Sequence, residues 1–448
     1  MTRRLAKGTP MWQATGIVTG ALLLTAHLAV GSGFEVRERS VEGLGKSFAG
    51  ATAGYSDGSA AFFNPAAMPW IESHTLTAGA HVIVPRADFT DEGSRYPTGA
   101  PITGGTDDGG AVAIVPNAYL VSPCSDALAF GLAVNTPFGL ATEWDSDWVG
   151  RYHALDTDLL TLNISPSVAW RLHKRLALGV GVSAVYFEAE LSNAINFGTI
   201  AAQQLPPPAN AAFSPGSADG YGNIKGDDWG YGYTLGLAFV PCEQGRLGLS
   251  YRSKVDATLE GDATFDVPPA LAPAFQPMGL FVDTTGSADL TLPESVNLGY
   301  VHDVGDALQF AFDVGWTRWS RFEELRVDFG SNQPDSVTEE DWEDTWNVAL
   351  GLSYAMNDTL TLRSGIAFDE TPVPDPAHRT PRIPDGDRTW LSVGCGVKAA
   401  DHLRLDVAYA HIFVSDGETA ALSSTSDAII GEYDSNVNIV SLQGVLTF

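Results

Sequence analysis

From Thr75 to the carboxyl terminus one pattern recurs: a bulky apolar residue followed by a small or polar one, for stretch after stretch. Leu308, Phe310, Phe312, Val314 and Trp316 interleave with Gln309, Ala311, Asp313, Gly315 and Thr317. Trp229, Tyr231, Tyr233, Leu235, Leu237 and Phe239 interleave with Gly230, Gly232, Thr234, Gly236 and Ala238. Leu403, Leu405, Val407 and Tyr409 alternate with Arg404, Asp406, Ala408 and Ala410. Neighbours in a strand point to opposite faces, so each stretch has one greasy face and one small, wettable face. A soluble sandwich would carry Lys, Glu, Thr or Arg on its second face. Repeated Gly, Ala and Ser suit instead the inside of a barrel with contents, while the bulky face suits lipid. The pattern predicts an all-β, antiparallel transmembrane barrel.

Fourteen segments follow the rule, at about 75–85, 110–121, 127–137, 158–171, 175–190, 227–240, 245–262, 287–301, 306–320, 344–355, 359–369, 387–399, 402–414 and 434–448. Their links alternate between tight turns, such as Leu172–Lys174 and Ala400–Asp401, and loops of up to nearly forty residues. Short turns at one end and long loops at the other are the habit of single-chain outer-membrane barrels, and an even count returns both ends to the periplasmic side. The last segment carries Val440, Leu442, Leu446 and the terminal Phe448 on its greasy face, as a closing strand would.

The amino terminus fits this destination. Arg3, Arg4 and Lys7 precede an apolar run from Gly16 to Val30, then small residues, which reads as a secretory signal peptide over residues 1–31. Its removal takes three of the 25 Lys+Arg and none of the 54 Asp+Glu, moving the net charge from −29 to −32. No other run approaches the length of a membrane helix. Such an acidic chain is unsuited to neutralising phosphates, so nucleic acid is excluded as a partner. Its 21 Phe, 13 Tyr and 11 Trp exclude disorder.

Residues 32–74, between leader and first strand, are rich in Gly, Ala and Ser and contain GLGKSFAG and FFNPAAMPW. The barrel interior is the available place to bury Phe48, Phe62, Phe63 and Met68. The segment GFEVRERSVEGLGKSFAGATAGYSDGSAAFFNPAAM resembles the amino-terminal hatch of the long-chain fatty acid outer-membrane transporters, the FadL family, which also includes toluene and xylene channels. TPFGLATEW, LTLPESVNLGY, GWTRWSRFEELRV and LRSGIAFDETPVPDPAHRTPRIPDGDRTWLSVG extend the similarity over the mature chain.

The resemblance implies a monomeric, fourteen-stranded barrel (75–448) in the outer membrane of a Gram-negative bacterium, with its hatch (32–74) folded into the lumen, in contact with membrane lipid and lipopolysaccharide. It implies capture of a hydrophobic ligand between two long loops, transfer to an interior pocket, and lateral release through the wall, without cofactor or energy source. The hatch's Asn-Pro-Ala motif falls on Asn64, Pro65 and Ala66, and its leading aromatic on Phe34. From the residues themselves, Gly43, Gly45 and Gly50 permit turns that a shifting plug needs, and Pro65 cannot donate to a ladder. Loop clusters of Ile195, Phe197, Ile200, Leu205 and Phe213, and of Phe265, Leu271, Phe275, Met278, Leu280 and Phe281, offer apolar surface for capture or simply pack the loops together.

The family's carboxylate-neutralising Arg and Lys align with Asn193 and Thr338, neither charged. Arg363, on the lumen face with Asp369, and Arg379, Arg382 and Arg388 in the next loop are the candidate substitute cations, or simply satisfy neighbouring acids as lumen Arg–Asp pairs do. The ligand is then a long-chain fatty acid or, with the usual cations absent, an aromatic or alkane hydrocarbon; a general porin is disfavoured by the hatch. No HExxH, GxSxG or CxxC occurs, Gly43–Ser47 lacks the leading glycine of a phosphate loop, and no enzyme or metal centre is expected. Glu143, Asp145 and Asp147 read as solvated acids rather than a calcium site. Cys124 and Cys242 are too many strands apart to bridge.

Overall fold

The computed structural model describes residues 32–448, so the leader lies outside the described residues. Fourteen antiparallel strands form the wall: β1 (Thr75–Asp91), β2 (Ala113–Ser125), β3 (Leu128–Asn135, resuming at Gly139–Glu143), β4 (Asp156–His173), β5 (Leu176–Asn196), β6 (Asp219–Cys242), β7 (Gly245–Arg252, then Val255–Asp266), β8 (Thr284–Leu292, then Ser295–Val304), β9 (Leu308–Thr317, then Glu324–Phe329), β10 (Thr345–Ala355), β11 (Leu360–Asp369), β12 (Arg388–Ala400), β13 (Leu403–Val414) and β14 (Gly431–Thr447). β14 pairs with β1 from Thr75↔Thr447 to Asp91↔Gly431, which closes the barrel and sets both strand ends at the short-turn rim.

The two faces behave as the alternation demands. Trp170, Tyr231, Trp346, Val440 and Leu442 are exposed on the outer surface, whereas Ala311, Asp313, Ala408 and Asp406 on alternate positions are buried. Exposed aromatics stand toward both rims, Trp346 near the long loops and Tyr354 and Phe448 near the short turns, where an amphipathic ring meets the lipid–water boundary. The three cysteines are unbridged.

Several strands outrun their expected limits. β1 continues past Pro85 to Asp91, β5 reaches Asn196, and β6 begins at Asp219. Pro85 does not stop β1 because the β2 ladder ends at Ile83↔Ala113 and the isolated pairing with the 107–109 segment begins only at Ala87, so at Pro85 a missing N–H is tolerated. β7 is broken at Ser253–Lys254 and β8 at Pro293–Glu294, inside stretches expected to be continuous, while β3 stops at Asn135 and resumes at Gly139–Glu143, beyond its expected end at 137.

The hatch fills the lumen. Short helices at Val41–Leu44 and Ala60–Phe63 and a 3-10 turn at Pro65–Trp70 bring Leu44, Phe48, Phe62 and Met68 to full burial, with Phe63 half-buried. The small inner face of the wall exists for this packing. A methyl group added at Gly248 would strike the carbonyl of Thr52, and one at Gly365 the carbonyl of Lys46. Gly43 and Gly45 lie at the first turns of the hatch, where close packing adds a second demand: a side chain at Gly43 would meet Phe48 and Tyr55, and one at Gly45, whose φ of −60° any residue adopts, would press on Gly394 of the wall. The left-handed positions of the hatch are Gly33, Ser47, Phe48, Gly50, Gly54 and Gly58.

Polar links tie hatch to wall. Thr52 Oγ1 donates to Asp313 (2.6 Å), Gln443 Nε2 to Asp57 (3.2 Å), and Arg404 to Glu42 (2.7 Å) and Asp406 (2.9 Å). Asn64 caps the 3-10 turn by accepting from Ala66 N–H (3.1 Å), while its amide donates to Thr52 O (2.8 Å) and to Leu237 O of β6 (3.1 Å). The Asn-Pro-Ala motif is therefore a joint: Asn64 fixes the turn, Pro65 starts it with no donor to lose, and Ala66 lies under Gly236.

Candidate functional site

Above the hatch, toward the long loops, lies an apolar chamber closed by the hatch's own leading aromatic. Phe34 is 1% exposed. Its ring sits 4.8 Å from Trp319, 5.5 Å from Phe322, 5.7 Å from Trp342 and 5.9 Å from Phe138, centroid to centroid. Leu140, Leu159, Phe187, Val255 and Leu290 complete the apolar lining. Burying such a ring stabilises the closed arrangement by about 2–3 kcal/mol, and any greasy ligand in the chamber must replace that contact. The buried Trp319 indole N–H has no hydrogen-bond partner among the described residues.

Phe34 is held by its neighbours rather than by its own strand. Gly33 N–H donates to Asp385 (2.9 Å), and Ser32 Oγ to Glu370 O (2.6 Å). Phe34 O accepts from Gly139 N–H (2.9 Å), and Val36 N–H donates to Pro137 O (3.0 Å), so Glu35 and Phe138 face each other as an antiparallel bridge. That partner segment is the break in β3. Pairing of β3 with β2 ends at Ala118↔Val134, and on resuming, Gly139–Glu143 pairs only with β4, apart from one bridge from Thr142 to Gly110. Thr161 Oγ1 bonds both N–H and O of Phe138 in place of a ladder. The wall is thus unzipped between β2 and β3 where the hatch's first residues reach it.

The cations sort clearly. Arg363 does not pair with Asp369 as expected. It bonds Asp406 (2.8 Å) and approaches Glu42 (4.0 Å) beneath the hatch, away from the chamber, and Asp369 faces Arg37 (3.4 Å). Arg388 bonds Asp385, the acceptor of Gly33, so it positions the hatch's start. Arg379 is spent on the carbonyls of Asp385 (2.7 Å) and Glu418 (2.6 Å). Arg382 is different. It donates to Thr157 Oγ1 (3.1 Å), to the carbonyls of Ser192 (3.3 Å) and Asp156 (3.4 Å), and to Asn193 Oδ1 (3.5 Å), with no carboxylate within 4.0 Å among the described residues. Its guanidinium therefore lies against Asn193, one of the two uncharged positions, and burial lowers its pKa to about 10. Thr338, the other, is half-buried in a hairpin opposite Leu325. Glu340 is buried nearby, accepts from Trp342 Nε1 (3.1 Å), and is pushed by burial up to about 8.

The loop aromatics form a closed patch. Phe197, Ile200, Phe275 and Phe281 are buried and in mutual contact, with Phe197–Phe281 at 4.7 Å. Phe213 and Phe265 are half-buried at its margin, and Met278 is exposed. A second loop cluster passes without notice in the sequence: Trp144 stacks on Trp148 at 4.0 Å beside Phe89 and Tyr433. The repeated Trp at i, i+4 in a long loop is the signal that marks it.

A family model described as outer membrane protein transport protein (OMPP1/FadL/TodX) matches residues 22–448. A long-chain fatty acid transport protein of Escherichia coli O6:H1 is 32% identical over 422 residues, covering 90% of this chain and 93% of that one. Outer membrane protein P1 of Haemophilus influenzae is 30% identical over 420 residues, covering 88% and 89%. Among solved structures, a Pseudomonas aeruginosa FadL homologue superposes with a TM-score of 0.85 at 27% identity, covering 93% of this chain and all of that one. The Pseudomonas putida toluene transporter TodX gives 0.71 at 17% identity over 90% and 98%, a likeness of fold.

Proposed function

The chain belongs to the OMPP1/FadL/TodX family of outer membrane proteins that transport hydrophobic compounds, and from that premise we propose that its ligand is a long-chain fatty acid. The observation that carries the reading is Arg382: a guanidinium with no carboxylate within 4.0 Å among the described residues, against Asn193 where the family cation is missing, and next in sequence to Ile383 of the apolar cluster around Phe34. An acyl chain gains about 0.8 kcal/mol per buried methylene in such a chamber, and a charge-assisted bond from Arg382 orients its head.

Transport runs downhill in three stages. Ligand arriving through the lipopolysaccharide leaflet is captured at the margin of the apolar loop patch, where Phe213, Phe265 and Met278 remain accessible over the buried Phe197, Phe275 and Phe281. It then enters the chamber by displacing Phe34. Because Phe34 and Val36 are bonded to Gly139 and Pro137, that displacement pulls on the segment where the wall is already unzipped, and ligand leaves sideways into the membrane as one monomer works alone. No step calls for a cofactor.

The aromatic lining, Trp319, Phe322, Trp342 and Phe138, favours the second reading, a monoaromatic hydrocarbon channel. Binding of palmitate, hexadecanol and toluene to the purified protein separates the two. The fatty acid reading expects palmitate to bind at least about tenfold tighter than hexadecanol, the scale of one hydrogen bond to a charged group, and Arg382→Gln to erase the difference. Equal binding of the acid and the alcohol by the unaltered protein contradicts it.

A further inference from the structure

Below the Phe34 chamber, between hatch and wall, two small cavities share the residues of the broken strands. One, of about 60 Å³, is lined by Arg37, Arg39, Arg252, Glu35 and Asp313 together with Pro137, Phe138 and Pro293. The other, of about 20 Å³, shares Pro137, Phe138, Arg252 and Pro293, and its remaining walls include Val185, Val255 and Leu292. Arg252 thus stands at the junction of a polar space and an apolar one, directly behind the break in β3.

The cations of the polar space are unequally partnered. Arg39 is paired with Glu35 (2.5 Å), Arg37 with Asp369 (3.4 Å), and Asp313 accepts from Thr52. Arg252 has no carboxylate within 4.0 Å among the described residues; its one hydrogen bond there is to Phe62 O (2.7 Å), and its guanidinium stacks on the Phe62 ring at 3.7 Å. Arg39 approaches the same ring at 5.1 Å. Two cations therefore share one ring, with Glu35 the only acid paired beside it. In addition, the Thr234 hydroxyl, on the wall of this cavity and 2% exposed, has no hydrogen-bond partner among the described residues. A guanidinium with spare donors and an idle hydroxyl, facing a space large enough for a few waters, are what a single anionic group requires.

We propose that Arg252 and Thr234 form a second head-group station, which holds the carboxylate of a single-chain amphiphile after it leaves the Phe34 chamber while its tail threads the break between β2 and β3. The station rests on the fatty acid reading but adds a site to it. It converts one long descent of a charged head past apolar walls into two shorter transfers, from Arg382 to Arg252. Glu35, bonded to Arg39, keeps the total positive charge low enough for the head to leave again.

The test is transfer of palmitate and of hexadecanol into lipid by the full-length protein in proteoliposomes. Arg252→Met is expected to slow palmitate by about tenfold, the scale of losing one hydrogen bond to a charged group, and hexadecanol by less than about twofold, with Arg252→Lys restoring palmitate. Equal slowing of acid and alcohol assigns Arg252 a packing role under Phe62 and overturns the station, as does no slowing of either. If Arg252→Met fails to insert, Thr234→Val carries the test: slowing confined to palmitate supports the station, and unselective or absent slowing overturns it. If the unaltered protein moves hexadecanol but not palmitate, the fatty acid reading fails and the station with it. If it moves palmitate and both variants move it equally fast, the station alone fails.

Discussion

On the proposed reading, Arg382 and Glu340 set which head group the chamber accepts. Glu340 is held near pH 8 by burial, whereas in the unfolded chain it titrates in the ordinary carboxylate range. The folded protein therefore binds the extra proton between those limits, and this carboxyl subtracts stability as pH rises from the unfolded value through about 8. The same ionisation places a negative charge beside Arg382. Palmitate binding is accordingly expected to weaken as pH rises through about 8, while hexadecanol binding stays flat, and Glu340→Gln should remove the dependence; a titration by intrinsic tryptophan fluorescence reads both. Little of this was legible in the sequence. Arg382 appeared there as one of several cations in a loop, and only folding shows that Arg363, Arg379 and Arg388 are already engaged by acids and carbonyls. Phe34, by contrast, was singled out by the resemblance of its segment to a known hatch, whereas the need for burial pointed only to Phe48, Phe62, Phe63 and Met68.

At the scale of elements, alternation located the fourteen wall strands but not their ends or interruptions, nor the short loop strands at Ser336–Glu339 and Gly417–Thr419. The period of two reports which residues share a face; it does not report where a ladder loses a partner. β3 reads as continuous through Val134, Asn135 and Thr136, yet Pro137 and the hatch's claim on Phe34 and Val36 part it from β2. The wall's inward glycines were legible as a small face, although what they accommodate, the hatch backbone itself, was not. Substituting Gly248→Val is expected to push Thr52 off the wall and destabilise the hatch by about 1–3 kcal/mol, the usual range for overpacking. Thermal unfolding in detergent, followed by loss of heat-modifiable migration, measures this. An unchanged midpoint would show that the hatch does not pack on β7 as described. In the loops, Phe281→Ala removes a ring shared by Phe197, Phe265 and Phe275; slower ligand capture with unchanged release is the expected outcome in stopped-flow binding.

The whole molecule is a closed wall with its own leading segment packed inside, and the proposed passage runs from loops to chamber to wall rather than end to end. Removal of residues 32–73 should therefore leave a water-filled barrel: single-channel conductance in planar bilayers should appear in the truncated protein and be absent from the complete one. The deepest commitment is that ligand moves only when the hatch's first residues let go of the break in β3. Glu35 and Phe138 are directly opposed, flanked by the bonds from Val36 to Pro137 and from Gly139 to Phe34, a non-hydrogen-bonded pairing whose short Cα separation suits a disulfide. In a background with Cys124, Cys242 and Cys395 replaced by Ser, the double variant E35C/F138C locks that contact when oxidised and frees it when reduced. Palmitate transfer in proteoliposomes should be abolished in the oxidised protein and return on reduction, while palmitate binding at the loops persists throughout. Transfer at the same rate in both redox states would contradict the account.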